Sequence, residues 1–277
     1  MSIMQKNGKL RAMLATGTAA IALLTGCASS GGYKAPTVSD QQVAQVQVPA
    51  GPVTTYNRTD DQNRVLLAQT FDKLKKAAAP ICQQANMDCS NFTAEYTNHQ
   101  QINAFASRGS HITVTSGLMK HTSEAELAAV VAHEMAHHIG RHNQNTQQRA
   151  QIGGAVGAVL FGLGGAALGI DPNKSAQIGA QLGQGTAVMS FSKAQEREAD
   201  YVGAYILARA GYDLKSAGNV WNTLARMSGG GNRPSGMLAT HPSSGERIVA
   251  WEQTIGEVQA SPDKLPKRKA NDAAPSR

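Results

Sequence analysis

From Val65 onward the apolar positions Leu66, Phe71 and Leu74 recur at close to helical spacing, which predicts a helix over residues 62–79. Three short segments follow, Phe92–Thr97, Ile102–Ala106 and His111–Thr115. The last alternates, with Ile112 and Val114 on one face, and the Arg108-Gly109-Ser110 turn joins it to the second as a β-hairpin. Ser123 and Glu126 match a capping box, in which a hydroxyl and a carboxylate satisfy the first free N–H groups of a helix. A long helix then runs to about Arg141. A helix over 193–210 ends at Gly211, a residue type suited to the left-handed turn that closes helices. Another covers about 214–228. Ser243-Ser244-Gly245-Glu246 is a second capping box, and Ile248, Trp251 and Ile255 continue that helix at helical spacing. The sum is an α+β domain, mostly helical, with a small antiparallel sheet.

Composition changes this picture at the two ends. Residues 1–26 carry Lys6, Lys9 and Arg11 but no acid, and then an apolar run, Ala12–Leu24, too short to span a bilayer comfortably. This is the pattern of a secretory leader. Leu24-Thr25-Gly26-Cys27 resembles a bacterial lipoprotein cleavage box, in which the cysteine receives lipid and becomes the new N-terminus. An ordinary leader with an unrelated cysteine is the alternative. Ala28, in place of an aspartate, favours the periplasmic face of the outer membrane. Setting Cys27 aside leaves Cys82 and Cys89, an even pair in a compartment that permits disulfides; two buried thiols are the alternative. Residues 27–61, rich in Ser, Gly, Pro, Gln and Thr, read as a flexible tether, and 261–277 as a disordered basic tail. The folded domain is then 62–260. Within it, Ile152–Ile170 holds seven glycines and no charge, and with the stretch after Asp171-Pro172-Asn173 it reads as a Gly/Ala-rich helical hairpin over 152–190. A membrane span is the competing reading. The net charge of +7 comes with no basic stripe interleaved with aromatics, which argues against nucleic acid as a partner.

The chemistry lies in His133-Glu134-Met135-Ala136-His137. On a helix, His133 and His137 fall about 40° apart, one turn along the same face, so both imidazoles can reach one ion. Neutral imidazole suits Zn²⁺, which in catalytic sites takes three protein ligands and keeps a position for water. Glu134, beside the first ligand, can act on that water. Helical phase turns His138 and His142 away from this face, so both read as surface or packing residues. For the third ligand, Glu196-Arg197-Glu198-Ala199-Asp200 offers Glu196 and Asp200 on one helix face, with Glu198 pointing away. Glu196 is assigned to the metal. Asp200 is assigned to accept a hydrogen bond from a ligand histidine.

Together these motifs, with Gly203 and the upstream Asn103-Ala104-Phe105-Ala106, Val114, Gly117 and Leu118, resemble the M48 peptidases, and among them the periplasmic, lipoprotein-type (LoiP-like) members. The resemblance covers about residues 62–257. It implies a gluzincin-type zinc endopeptidase with one Zn²⁺ per chain, Glu134 as general base and Glu196 as third ligand. It also implies that the strand near His111–Thr115 forms the edge beside the cleft. The family often carries His-Pro followed by Arg-Ile, here His241-Pro242 and Arg247-Ile248. His241 is then a fourth metal contact that holds the enzyme latent, a support for the oxyanion in competition with Arg247, or a loop residue steadying the helix start. Unfolded or misassembled envelope proteins are the implied substrates, and the outer-membrane assembly machinery the implied partner. A chaperone-like lipoprotein that binds clients in the same cleft with little proteolysis is the alternative.

Overall fold

Helix α4, Glu124–Ile139, organises the domain. Ser123 and Glu126 form the expected capping box, and the helix is buried on almost every side. Such an element needs partners all round. They are α2 (Asp60–Gln84), α5 (Lys193–Arg209), α6 (Leu214–Ser228) and the sheet. The computed structural model describes residues 32–107, 109–144, 171, 173–174, 177, 191–228, 237, 241 and 245–269. The Gly/Ala-rich hairpin expected over 152–190, the leader with Cys27, and the capping residues Ser243 and Ser244 lie outside this set, apart from isolated positions of the hairpin. Among the described residues no helix is long and apolar enough to cross a membrane.

Helix α2 begins at a second capping box, Thr59 with Gln62, and extends beyond the predicted 62–79 because Ile81 and Cys82 continue its buried face. The Sγ atoms of Cys82 and Cys89 lie at bonding distance, with Cα atoms 6.0 Å apart.

Strands β1 (Thr93–Thr97), β2 (Ala104–Ser107) and β3 (His111–Thr115) form a sheet of order β1-β3-β2. The β2–β3 hairpin is antiparallel as expected, whereas β1 pairs with β3 in parallel, so the sheet is mixed. The centre therefore belongs to β3, whose Ile112 and Val114 are fully buried. This corrects the expected cleft edge, which is β2. A one-turn helix, α3 (Ser116–Met119), follows.

Helix α5 opens at a Ser192–Gln195 capping box, and Gly211 (φ 77°) lies just past its end. At Gly203 it approaches α4 so closely that a Cβ would stand 3.3 Å from the His133 backbone nitrogen. Helix α7, Gly245–Ala260, packs on α5 and α6, with Trp251 edge-on to Trp221 and donating to the Leu214 carbonyl at 3.0 Å.

The two end segments depart most from expectation. Residues 32–60 do not hang free: helix α1 (Asp40–Ala44) lies on α7, and the Tyr56 N–H donates to the Lys120 carbonyl. Tyr33 is buried and forms an antiparallel bridge with Arg268, flanked by Lys34 N–H to Lys267 O and Lys269 N–H to Gly32 O, both 2.9 Å. The described parts of the expected tether and tail thus pair with each other against the domain. A composition average hides the cause, a single tyrosine whose ring is driven out of water and covered by the Arg268 guanidinium.

Candidate metal centre

On α4 the side chains of His133 and His137 turn the same way, with their Nε2 atoms 3.0 Å apart. Glu196, from the first turn of α5, brings Oε2 to 3.5 Å from His133 Nε2 and Oε1 to 3.4 Å from His137 Nε2. His241 completes the group, its Nδ1 3.2 Å from His133 Nε2 and 3.0 Å from Glu196 Oε1. One donor atom from each of these four buried residues lies within 4.8 Å of the others. The three ligands assigned from sequence are thus brought together, and His241 joins them.

The donor set suits a borderline divalent cation. Asp200 Oδ1 is 2.8 Å from His133 Nδ1; an ionised carboxylate can only accept, so the imidazole proton sits on Nδ1 and the Nε2 lone pair faces the cluster. Burial, with His133 nearby, holds His137 well below the usual histidine range, which keeps its ring neutral and able to ligate. Burial alone would raise Glu196, but His241, Arg247 and His133 together hold it well below the usual carboxylate range. Glu134 shifts the other way. It is fully buried, and desolvation raises it despite His241 and His133.

Glu134 Oε2 accepts the Ala106 N–H at 2.9 Å, while Oε1 carries no hydrogen bond among the described residues and stands 3.5 Å from His241 Nε2. Asn143 Nδ2 donates to the Ala106 carbonyl at 3.2 Å. In the β2–β3 register Asn103 O bonds Thr115 N–H, so Ala104 and Ala106, of opposite parity, turn their amides away from β3 towards the cleft.

Arg247 is placed for a role other than the oxyanion support raised from sequence. Nε and Nη2 grip both Asp200 oxygens at 2.8 and 2.7 Å, Nη1 lies 3.0 Å from Glu196 Oε2, and the guanidinium stacks over Trp221 at 4.0 Å. It neutralises the ligand carboxylate Glu196 and the Asp200 carboxylate behind His133, and they in turn raise its own pKa against the opposing effect of burial.

Two participants went unseen in the sequence. Phe191 stacks on His137, ring centroids 3.9 Å apart, just ahead of the Ser192 cap. His142, expected to face away, is fully buried with Nδ1 2.9 Å from His137 Nδ1. The phase argument assumed a helix continuing past Gly140; it ends at Ile139, and Arg141 takes a left-handed φ of 54°. The glycine was the available signal. Glu198 does point away from the ligand cluster, but it is buried. His138 packs on Phe92, as a packing residue would.

The model of peptidase family M48 matches residues 68–255. A beta-barrel assembly-enhancing protease of Yersinia pestis is 33% identical over 189 residues, which are 66% of this chain and 38% of that protein. A putative beta-barrel assembly-enhancing protease of Vibrio cholerae is 34% identical over 176 residues, 61% and 36% of the two chains. The mitochondrial metalloendopeptidase OMA1 of Schizosaccharomyces pombe is 32% identical over 158 residues, 57% and 44%. The chain therefore spans less than half the length of these relatives. With a matched region that takes in the sheet, both motif helices and most of α7, the chain belongs to peptidase family M48.

Proposed function

We propose that the chain is a zinc-dependent endopeptidase acting on unfolded or misassembled proteins of the cell envelope. The observation that carries this is the convergence of His133, His137 and Glu196 on one point with the Glu134 carboxylate beside it. These three residues would hold the ion. When bound, zinc supplies a Lewis acid that polarises a peptide carbonyl and acidifies water. Glu134 then accepts the proton of the attacking water and returns it to the departing amine. Its raised pKa suits both halves of that exchange. The Ala106 N–H holds the carboxylate in place through Oε2, leaving Oε1 for the proton.

As the edge strand beside the cleft, β2 suits an extended polypeptide, which pairs through main-chain bonds with little regard to sequence, with the Ala106 N–H and carbonyl already held by Glu134 and Asn143. That favours unfolded clients over folded ones. The names of the bacterial relatives favour substrates among outer-membrane β-barrels and a place near their assembly machinery. The leader and Cys27 favour a lipid anchor at the periplasmic face of the outer membrane, where Cys82 and Cys89 would form a disulfide. The nearness of His241 to the ligand atoms favours its reading as a fourth contact that keeps the resting enzyme latent.

The test is zinc stoichiometry beside digestion of an unfolded porin, for the native chain and Glu134→Gln. The native chain is expected to hold one zinc and cleave. The variant is expected to hold one zinc and lose cleavage by about 10²-fold or more. Full cleavage by the zinc-loaded variant would overturn the assignment. Porin bound but uncleaved by the zinc-loaded native chain would favour the chaperone-like alternative.

A further inference from the structure

His133 has an evident support in Asp200, but among the described residues no carboxylate or backbone carbonyl bonds His137 Nδ1. What meets it is another imidazole. We propose that His142 is the positioning residue for His137, a role that rests on the metal-site reading above and adds a residue to it.

The local chain is shaped to deliver this ring. Helix α4 stops at Ile139, and the Gly140 N–H closes back onto the Ala136 carbonyl at 2.8 Å. Arg141 then adopts φ 54°, reversing the chain so that His142 returns against the last helical turn. Gly140 is required for space as well as for termination, since a Cβ there would lie 2.5 Å from His142 Nε2. The two rings meet edge-on, 77° between planes and 4.9 Å between centroids.

The hydrogen-bond chemistry assigns the tautomers. Two ring nitrogens at 2.9 Å need one proton between them. With Nε2 as the ligand atom, His137 keeps its proton on Nδ1 and donates, so His142 accepts at Nδ1 and carries its own proton on Nε2. Nε2 makes no hydrogen bond among the described residues, and Glu198 Oε1, in a side chain as buried as the histidine, lies 3.8 Å from it. Glu198 Oε1 accepts the Tyr33 N–H at 3.2 Å, and Oε2 stands 3.6 Å from Lys269 Nζ. A buried anion on that side favours the Nε2–H form of His142, and hence the acceptor that His137 requires. His142 thereby fixes the plane and tautomer of a metal ligand without touching metal or substrate.

The test uses the full-length folded chain, with zinc affinity read by chelator competition and ligand geometry by the absorption bands of the cobalt(II)-substituted protein. His142→Leu fills the space without an acceptor, and a 10- to 100-fold loss of zinc affinity with shifted cobalt bands is expected. His142→Gln, which keeps an acceptor, is expected to recover most of both. If neither variant changes affinity or spectrum while the native chain holds one zinc, the positioning role is refuted and the metal site stands. If the native chain binds no zinc, the metal-site reading itself fails. Should His142→Leu not fold, Gly140→Ala decides the matter. A Cβ there displaces the ring, so weakened zinc binding supports the role and native binding overturns it.

Discussion

His133 and His137 stand one helical turn apart and face one centre, yet they are braced from opposite directions. Behind His133 lie Asp200 on α5, Arg247 on α7 and the Trp221 ring on α6. All three helices belong to the packed core, and a bidentate guanidinium supplies donors to both carboxylate oxygens. Behind His137 lie His142, just past the end of α4, then Glu198, then Tyr33 and Lys269 from segments near the two ends of the chain. There a buried carboxylate is met by one backbone N–H and one ammonium whose side chain is about one-third exposed. The first brace is built from core helices alone. In the second, Glu198 also belongs to α5, but its partners Tyr33 and Lys269 come with the end segments.

The comparison breaks most visibly at Arg247. Arg247→Ala leaves the Asp200 and Glu196 carboxylates buried without their cation, and the cost is expected to be about 3–5 kcal/mol in urea unfolding of the metal-free protein. The variant also alters the response to acid. Glu196 is held well below its ordinary value of 4.5, so its ionisation stabilises the native state above that pH, and this contribution is lost as pH falls from 4.5 towards the depressed folded value. Without Arg247 the folded value moves back up, and the fall in stability below pH 4.5 is expected to flatten. A loss under about 1 kcal/mol with an unchanged acid slope would show that the first brace is not the stiff one.

Next comes Tyr33→Ala, which removes a buried ring from the second brace. A loss of about 2–4 kcal/mol is expected, but locally. Amide exchange at Lys34 and Lys269 rises, while α4 and α5 stay protected. Exchange rising equally in α5 would mean that the end segments are part of the core, and the contrast would disappear. Asp200→Asn comes third, with a 10- to 100-fold loss of zinc affinity and, because it takes a buried counter-charge from the Arg247 guanidinium, a loss of stability in urea unfolding as well.

The legible part of this site is the part written within single helices. His133 with His137, and Glu196 with Asp200, are four-residue spacings that hold wherever a helix holds, and the capping box at Ser123 announced one of those helices. The hairpin was equally local. The parallel partner of β3 was not, because the Thr93↔His111 pairing joins separate segments and depends on which strand is most buried. The role of Arg247 was hidden for the same reason: its carboxylates lie on α5, and nothing within α7 points to them. His142 was misread through carrying helical phase past a glycine that stops it. Tyr33 was lost in the average polarity of its neighbours.

The smallest expected effect is the most discriminating for the second brace. Lys269 is one-third exposed at its side chain and 3.6 Å from a buried Glu198 oxygen, so the pair is partly screened by solvent. Lys269→Ala is expected to cost no more than about 1 kcal/mol at low salt and almost nothing at 1 M salt, where the screening length falls to about 3 Å. The Tyr33 N–H continues to hold Glu198 from the other side, so zinc affinity is expected to stay within about twofold of native. A salt-independent loss of several kcal/mol in urea unfolding would instead make Lys269 an equal of Arg247. Both histidines would then be braced by a stiff buried ion pair, and the end segments would be as fixed as the helices they lie against.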